Sequence, residues 1–356
     1  MHKKYWLPLL LIIQIIGLQI LQFFPSFVER FYSNGIYQYI SKFSRIMMSK
    51  IPFSVGDCLY ALLIIWIIFW FWKVRKTWRL KWKQHFWTIL SGLSVFYFLF
   101  HLLWALNYYR EPLFEKMNIK RDYSDADLLL FTQKLILKTN AIQLQITNDS
   151  IRKVVFPFDK KTAYKMTLNG YGILSETYPI FKYQHLSVKS SLFSLPLTYM
   201  GFSGYLNPFS NEAQVNYLMP IYNFPITSCH EMAHQMGFAS ESECNFIGFL
   251  AATKNENIYF KYSAYSFALR YCLRNWEEKN PEILKELLTK INPGILENYR
   301  ENRVFWNAYQ TPIEKGFEIF YDRFLKMNQQ KDGMEGYSKF VDLLINFYPE
   351  GKSFEN

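Results

Sequence analysis

The sequence predicts three N-terminal transmembrane helices, then a mostly helical α+β domain with a small sheet beside a histidine-bearing helix. Three observations carry this. Apolar runs of bilayer-spanning length occur only before residue 107. Beyond it, apolar residues recur mostly at helical spacing, and β-favouring stretches are confined to residues 189–219. One segment, Thr227 to Gly237, sets two histidines four residues apart.

Of the 356 residues, 50% are hydrophobic and 19% aromatic, while only 19% are charged, against roughly 25% in an ordinary soluble domain. That balance excludes a disordered, collagen-like or coiled-coil chain. Residues 5–24, 54–72 and 86–106 are the apolar runs, each about 20 residues, enough at about 1.5 Å per residue to cross a hydrocarbon core. Gln14, Gln19 and Gln22 interrupt the first, Asp57 lies near the start of the second, and His101 sits in the third. The first run has a basic start, but its apolar core is too long for a signal peptide and no small-x-small site follows. It reads as an uncleaved anchor. Residues 1–106 therefore form a membrane domain and 107–356 a second domain, with 25–53 a loop between the first two spans.

The stretch between the second and third runs carries Lys73, Arg75, Lys76, Arg79, Lys81 and Lys83 and no acid. Short loops this basic stay cytoplasmic, so the N-terminus is expected inside and the domain after residue 107 outside. The net charge of +11 arises partly here and suits anionic lipid. No basic face marks a nucleic-acid partner. The expected partners are the bilayer and a peptide or protein substrate. Trp66, Trp70, Trp72, Trp78, Trp82 and Trp87 cluster near the cytoplasmic boundary as an interfacial belt.

In the second domain, Ser124 to Asn140 has helical apolar spacing with Asp125 and Asp127 in its first turn. Lys189 to Phe209, broken by Gly201, Gly204 and Pro208, predicts strands or a hairpin, and Glu212 to Met219 another short strand. Ile226 to Met236 is helical, with Gly237 as its stop. Ser240 and Glu243 have capping-box spacing for a further helix running to about Thr253. From Ile258 to Phe347 the pattern is mostly helical, with breaks near Pro281, Pro293, Pro312 and Lys331-Asp332-Gly333.

The chemistry concentrates in His230-Glu231-Met232-Ala233-His234. Four residues is about one helical turn, so both imidazoles face one way and can hold one metal ion. Glu231 is offset around the helix, where it can take a proton from an attacking water instead of ligating the metal. Two histidines with a carboxylate suit zinc. A catalytic zinc needs a third protein ligand and an open position. Glu243 is the choice, because it lies further into the next helix; Glu241 is the alternative. Cys58, Cys229, Cys244 and Cys272 read as small packing residues rather than a disulfide framework. Tyr262, Tyr265 and Tyr271 are candidates to stabilise an oxyanion.

The segment from His230 to Ile247 resembles the core of the bacterial membrane-protein family known as domain of unknown function 3810. So do Trp104-Ala105-Leu106-Asn107-Tyr108-Tyr109-Arg110, the stretch Gly201 to Phe209 followed by Glu212 to Asn216, and Lys331-Asp332-Gly333 with the helix after it. The resemblance covers nearly the whole chain and implies a membrane-anchored, zincin-like fold in a bacterial inner membrane. It names no substrate. Glu243-Cys244-Asn245 is also similar to the Glu-Ala-Asn element of short zincin peptidases, whose Glu is the third ligand, which again favours Glu243. In zincins the edge strand of the sheet lies above the metal; by order in the chain Glu212 to Leu218 or Gly201 to Leu206 is the candidate for that place, with a plain structural hairpin as the other reading.

The expected function is a membrane-anchored zinc metallopeptidase in which a zinc-activated water attacks a peptide bond and Glu231 is general base. Two other readings stand beside it. One is a zinc hydrolase of a non-peptide amide such as cell-wall material. The other is a non-catalytic membrane protein with a structural zinc site.

Overall fold

The computed structural model describes residues 6–330, 339–349 and 351–354. The three apolar runs form the helices Trp6–Leu21, Val55–Val74 and Trp82–Leu103. The second and third are each long and apolar enough to cross a membrane. Most of their side chains face outward, Ile65 and Ile68 being 61% and 62% exposed, an arrangement that a hydrocarbon solvent satisfies and water does not. The first helix has 16 residues and bends by 105° into Pro25–Met48, the pair together meeting the same test. It packs on the third, where the Gln14 amide donates to Ser94 Oγ at 3.3 Å.

Residues 25–48, expected as a loop, are helical: a short turn, a π-helical stretch Val28–Ile36 and the helix Tyr37–Met48. Tyr37, Ser41 and Arg45 recur every fourth residue and are buried, whereas Tyr39 and Phe43 are exposed. One face of this helix therefore packs on the second domain. The preceding turn brings in Glu29, whose carboxylate takes two hydrogen bonds from Arg110, at 2.8 and 2.9 Å, and pairs with Lys116 at 2.6 Å. All three side chains are nearly buried. Glu29→Ala leaves two cations unpaired and is expected to cost about 3–5 kcal/mol, read as a lower unfolding temperature in detergent; an unchanged melt would contradict the pairing.

The helix Asp125–Thr147 opens on a reciprocal capping box between Ser124 and Asp127. It packs along Ile258–Lys279, where the Trp276 indole donates to Thr132 Oγ1 at 3.1 Å. Pro281–Thr289, Pro293–Asn307 and Pro312–Met327 each begin on proline, which has no amide hydrogen to leave unpaired there. The predicted break at Lys331-Asp332-Gly333 lies outside the described residues; Lys339–Phe347 follows it. Phe246, Phe249, Phe260 and Phe340, all fully buried, lie in the core of this domain.

The sheet has the order β1 (Val188–Ser190), β3 (Glu212–Val215), β2 (Gly204–Asn207). β3 pairs parallel to β1 and antiparallel to β2, with Gly204 opposite Val215. The stretch from 189 to 209 is thus no hairpin by itself, since the helix Ser194–Tyr199 interrupts it. The sheet also anchors the apolar helix Val55–Val74. Glu212 accepts from the amides of Val55 and Gly56 at 3.2 and 2.6 Å, a negative charge at the positive end of Val55–Val74. Lys189 completes the joint by pairing with Glu212 and donating to the carbonyls of Met48 and Phe53. Asp57 accepts from Ser191 Oγ and the Leu192 amide at 2.9 and 2.7 Å. The basic stretch 73–85 begins at the other end of that helix, about 30 Å away at 1.5 Å per residue.

Candidate metal centre

The histidines lie on Phe224–Gln235, which starts with Pro225 in its first turn and stops at Gly237. Gly237 has φ +90°, the left-handed conformation that favours glycine. Its amide bonds to the His234 carbonyl at 2.9 Å, and the Phe238 amide reaches back to Ala233 at 3.3 Å. This is a Schellman ending. It carries the Phe238 carbonyl round to His234 Nδ1, 2.8 Å away. The last carbonyls of the helix find donors in the membrane-side segments. Trp104 Nε1 reaches His234 O at 3.2 Å, Ser41 and Tyr37 reach Gln235 O at 2.6 and 3.1 Å, and Arg110 reaches Gly237 O at 2.6 Å. The helix Tyr37–Met48, where a loop was expected, and residues 104–110 at the end of the third apolar run therefore hold the site helix in place.

His230 and His234 turn their Nε2 atoms to within 3.1 Å of each other. His230 Nδ1 is 2.8 Å from Asn245 Oδ1. Both Nδ1 atoms thus face oxygen acceptors and carry a proton by that assignment, which aims both Nε2 atoms at one point. Glu241 completes the cluster, with its oxygens 3.2 Å from His230 Nε2 and 3.6 Å from His234 Nε2. One ligand atom from each of the three lies within 4.8 Å of the others, and all three side chains are nearly buried.

Of the two acids offered for the third ligand, the structure brings Glu241, the alternative, to the histidines and turns the preferred Glu243 away. Glu241, Asn245 and Gly248 stand at i, i+4 and i+7 on Glu241–Lys254, the face that meets the site helix. Gly248 permits the close crossing: a Cβ there would lie 2.9 Å from the His230 backbone nitrogen. Glu243 is about 200° round the helix from Glu241 at 100° per residue and points away, accepting from the Leu113 amide at 2.6 Å. Burial pushes the Glu243 carboxyl up, partly offset by that amide, Lys116 and Arg110. Burial also opposes charge on Glu241, but the two imidazoles outweigh it and hold that carboxyl well below the usual carboxylate range. The predicted capping box fails for the same reason: Ser240 makes no side-chain cap, its hydroxyl lying 3.0 Å from Ser242 Oγ.

Glu231 is buried beside the cluster, and its Oε2 has no hydrogen-bond partner. Burial pushes its carboxyl up to about 7, with His230 and His234 pulling the other way. The β2 edge closes over it, a Cβ on Gly204 falling 2.6 Å from Glu231 Oε1. Of the two strands offered for the place above the site, the edge strand β2 is therefore the one beside Glu231; β3 is central and wholly buried. A cleft of about 1790 Å³ reaches His230, Glu231, His234 and Glu241, lined on one side by residues 200–206. Tyr271 also lines it, whereas Tyr262 is turned to Asn298 at 2.7 Å and Tyr265 lies in the core.

Two contributors escaped the sequence reading. Asn245, which orients His230, was legible as the residue one turn after Glu241. Tyr321, whose hydroxyl donates to Glu241 Oε1 at 2.6 Å, sits 80 residues away with no local signal. The four cysteines are free thiols. Cys244 lies on the far side of the His234 ring from Glu241, its Sγ 3.2 Å from Nδ1 and 3.1 Å from the Phe238 carbonyl, and burial pushes the thiol up to about 12. Asn245→Ala is expected to weaken metal binding by about 10–100-fold, measured by competition with a chelating dye; unchanged affinity would remove Asn245 from the site.

The donor set of two imidazole nitrogens and a carboxylate matches the chemistry of zinc. With both rings neutral, the two Nε2 lone pairs and the Glu241 carboxylate would converge on one cation. The family described as "Protein of unknown function (DUF3810)" matches residues 32–345, and the chain belongs to that family. No curated protein and no solved structure matches it.

Proposed function

We propose that this member of the DUF3810 family is a membrane-anchored zinc metallopeptidase with a zincin-like catalytic domain. The observation that carries the reading is the convergence of His230, His234 and Glu241 in an open cleft, with the unpartnered carboxylate of Glu231 beside them. His230, His234 and Glu241 would hold the ion. A zinc ion in such a setting polarises a carbonyl and makes water a nucleophile near neutral pH.

The remaining chemistry belongs to the chain. The Asn245 amide and the Phe238 carbonyl fix both imidazole rings. Glu231 takes the proton from the attacking water and passes it to the leaving amine, a role suited to a carboxyl that burial raises towards neutrality. The β2 edge offers free backbone groups to an extended peptide. An open cleft favours this reading over a structural ion, which would be enclosed on all four sides.

The proposed sidedness rests on charge. The basic stretch 73–85 favours the cytoplasm, and the catalytic domain joins the opposite ends of the same two helices. The test is hydrolysis of a peptide library by purified protein, with and without added zinc. Zinc-dependent cleavage supports the reading; no cleavage of any peptide by zinc-loaded protein contradicts it.

A further inference from the structure

The cleft carries a charge that the metal centre does not account for. Phe267, Arg270, Tyr271, Arg274 and Glu278 all line it and recur at helical spacing on Ile258–Lys279. This face runs for about 17 Å at 1.5 Å per residue, long enough to lie beside about five residues of an extended peptide. It reaches the metal centre through Tyr271. The Tyr271 hydroxyl meets the Asn245 side chain, and Asn245 in turn holds His230.

Arg270 is the cation of this face that lacks a counter-ion. Arg274 has Glu278 at 3.7 Å, and elsewhere in the cleft wall Lys326 pairs with Asp322 at 2.8 Å. Among the described residues no acid, Glu318 of the cleft wall included, lies within ion-pair distance of Arg270, and its guanidinium makes no hydrogen bond. The side chain is half-buried, its guanidinium carbon 5.7 Å from the centre of the Phe267 ring. Burial pushes the phenols of Tyr222, Tyr271 and Tyr299 up, while Arg270 pulls each the other way. They stay neutral and lend the guanidinium no negative charge. A partly desolvated cation without a partner is costly, and an incoming anion relieves that cost. The planar fork of a guanidinium matches a carboxylate through two parallel hydrogen bonds.

We propose that Arg270 binds a carboxylate of the peptide substrate, so that the site selects peptides presenting a carboxylate at one fixed distance from the scissile bond. The proposal rests on the peptidase reading and names its substrate class. The carboxylate belongs to an Asp or Glu side chain or to the peptide C-terminus, which offer the guanidinium the same two oxygens. A peptide paired along β2 sends alternate side chains to opposite faces. The preference should therefore be confined to one position of the peptide, or to its end.

The test uses the full chain, zinc-loaded and in lipid nanodiscs, as the Glu231→Gln variant so that bound peptide survives. Amidated hexapeptides of alanine and phenylalanine carry one Glu, or Gln in its place, at each position in turn. A further pair ends in a free or an amidated C-terminus. Affinity is measured by surface plasmon resonance. The expected result is one placement of the carboxylate that binds about 10–100-fold tighter than its amide counterpart, the worth of charge-assisted hydrogen bonds. An internal placement identifies a side chain as the source, and the terminal pair identifies the chain end. Adding Arg270→Gln should bring that ratio close to one, with zinc content and melting temperature as folding controls. Should that variant fail to fold, Arg270→Lys decides: it keeps the charge without the fork, so a ratio several-fold lower is expected and an unchanged ratio overturns the proposal. Equal affinity within every acid–amide pair also overturns it. So does a preference that persists in folded Arg270→Gln, which would put the carboxylate on the zinc. Hydrolysis by the wild type with no preference for acid removes the anchor and leaves the peptidase reading intact. A preference that depends on Arg270, without hydrolysis by the wild type, keeps the anchor and removes the peptidase reading.

Discussion

Glu231→Gln is expected to lower peptide hydrolysis by about 10²–10⁴-fold, the usual worth of a positioned general base, while leaving metal binding intact. The side chain keeps its size, so the packing of Gly204 against it is preserved. Glu231 is also absent from the set of converging ligand atoms. The loss should fall on kcat, because the carboxylate handles a proton instead of holding the substrate. Kinetics on the zinc-loaded variant check this. Near-wild-type turnover would remove Glu231 from the chemistry.

The second large effect separates the two acids of the next helix. Glu241→Ala should lose the ion, a greater cost than the roughly 10–100-fold of an outer contact, because it removes one of three protein ligands. Glu243→Gln should keep it, since the amide oxygen can still accept from Leu113. The comparison is read by zinc titration of the three proteins in parallel. Retention of zinc by Glu241→Ala with loss in Glu243→Gln would reverse the assignment made from the geometry.

That contrast shows what a sequence can and cannot supply. The apolar runs, the helix bearing His230 and His234 and its end at Gly237 follow from composition and short-range spacing, and all are present. Depth along the helix favours Glu243 as third ligand, whereas phase around it places Glu241 beside the histidines. Asn245 and Gly248, one and two turns beyond Glu241, mark the contact face in the sequence itself. The stretch 25–53 lies between two apolar runs and was expected as a loop, although Tyr37, Ser41 and Arg45 carry a helical period of buried side chains. Glu212 at the head of Val55–Val74 and Tyr321 on Glu241 are joined only by long-range folding, and no local pattern announces them.

The most direct test of the central claim is X-ray absorption at the zinc edge on wild-type protein purified without chelators. The account predicts one equivalent of zinc with nitrogen and oxygen neighbours at about 2.0–2.2 Å and no sulfur. A sulfur shell at about 2.3 Å, or a protein that takes up no zinc, would contradict it.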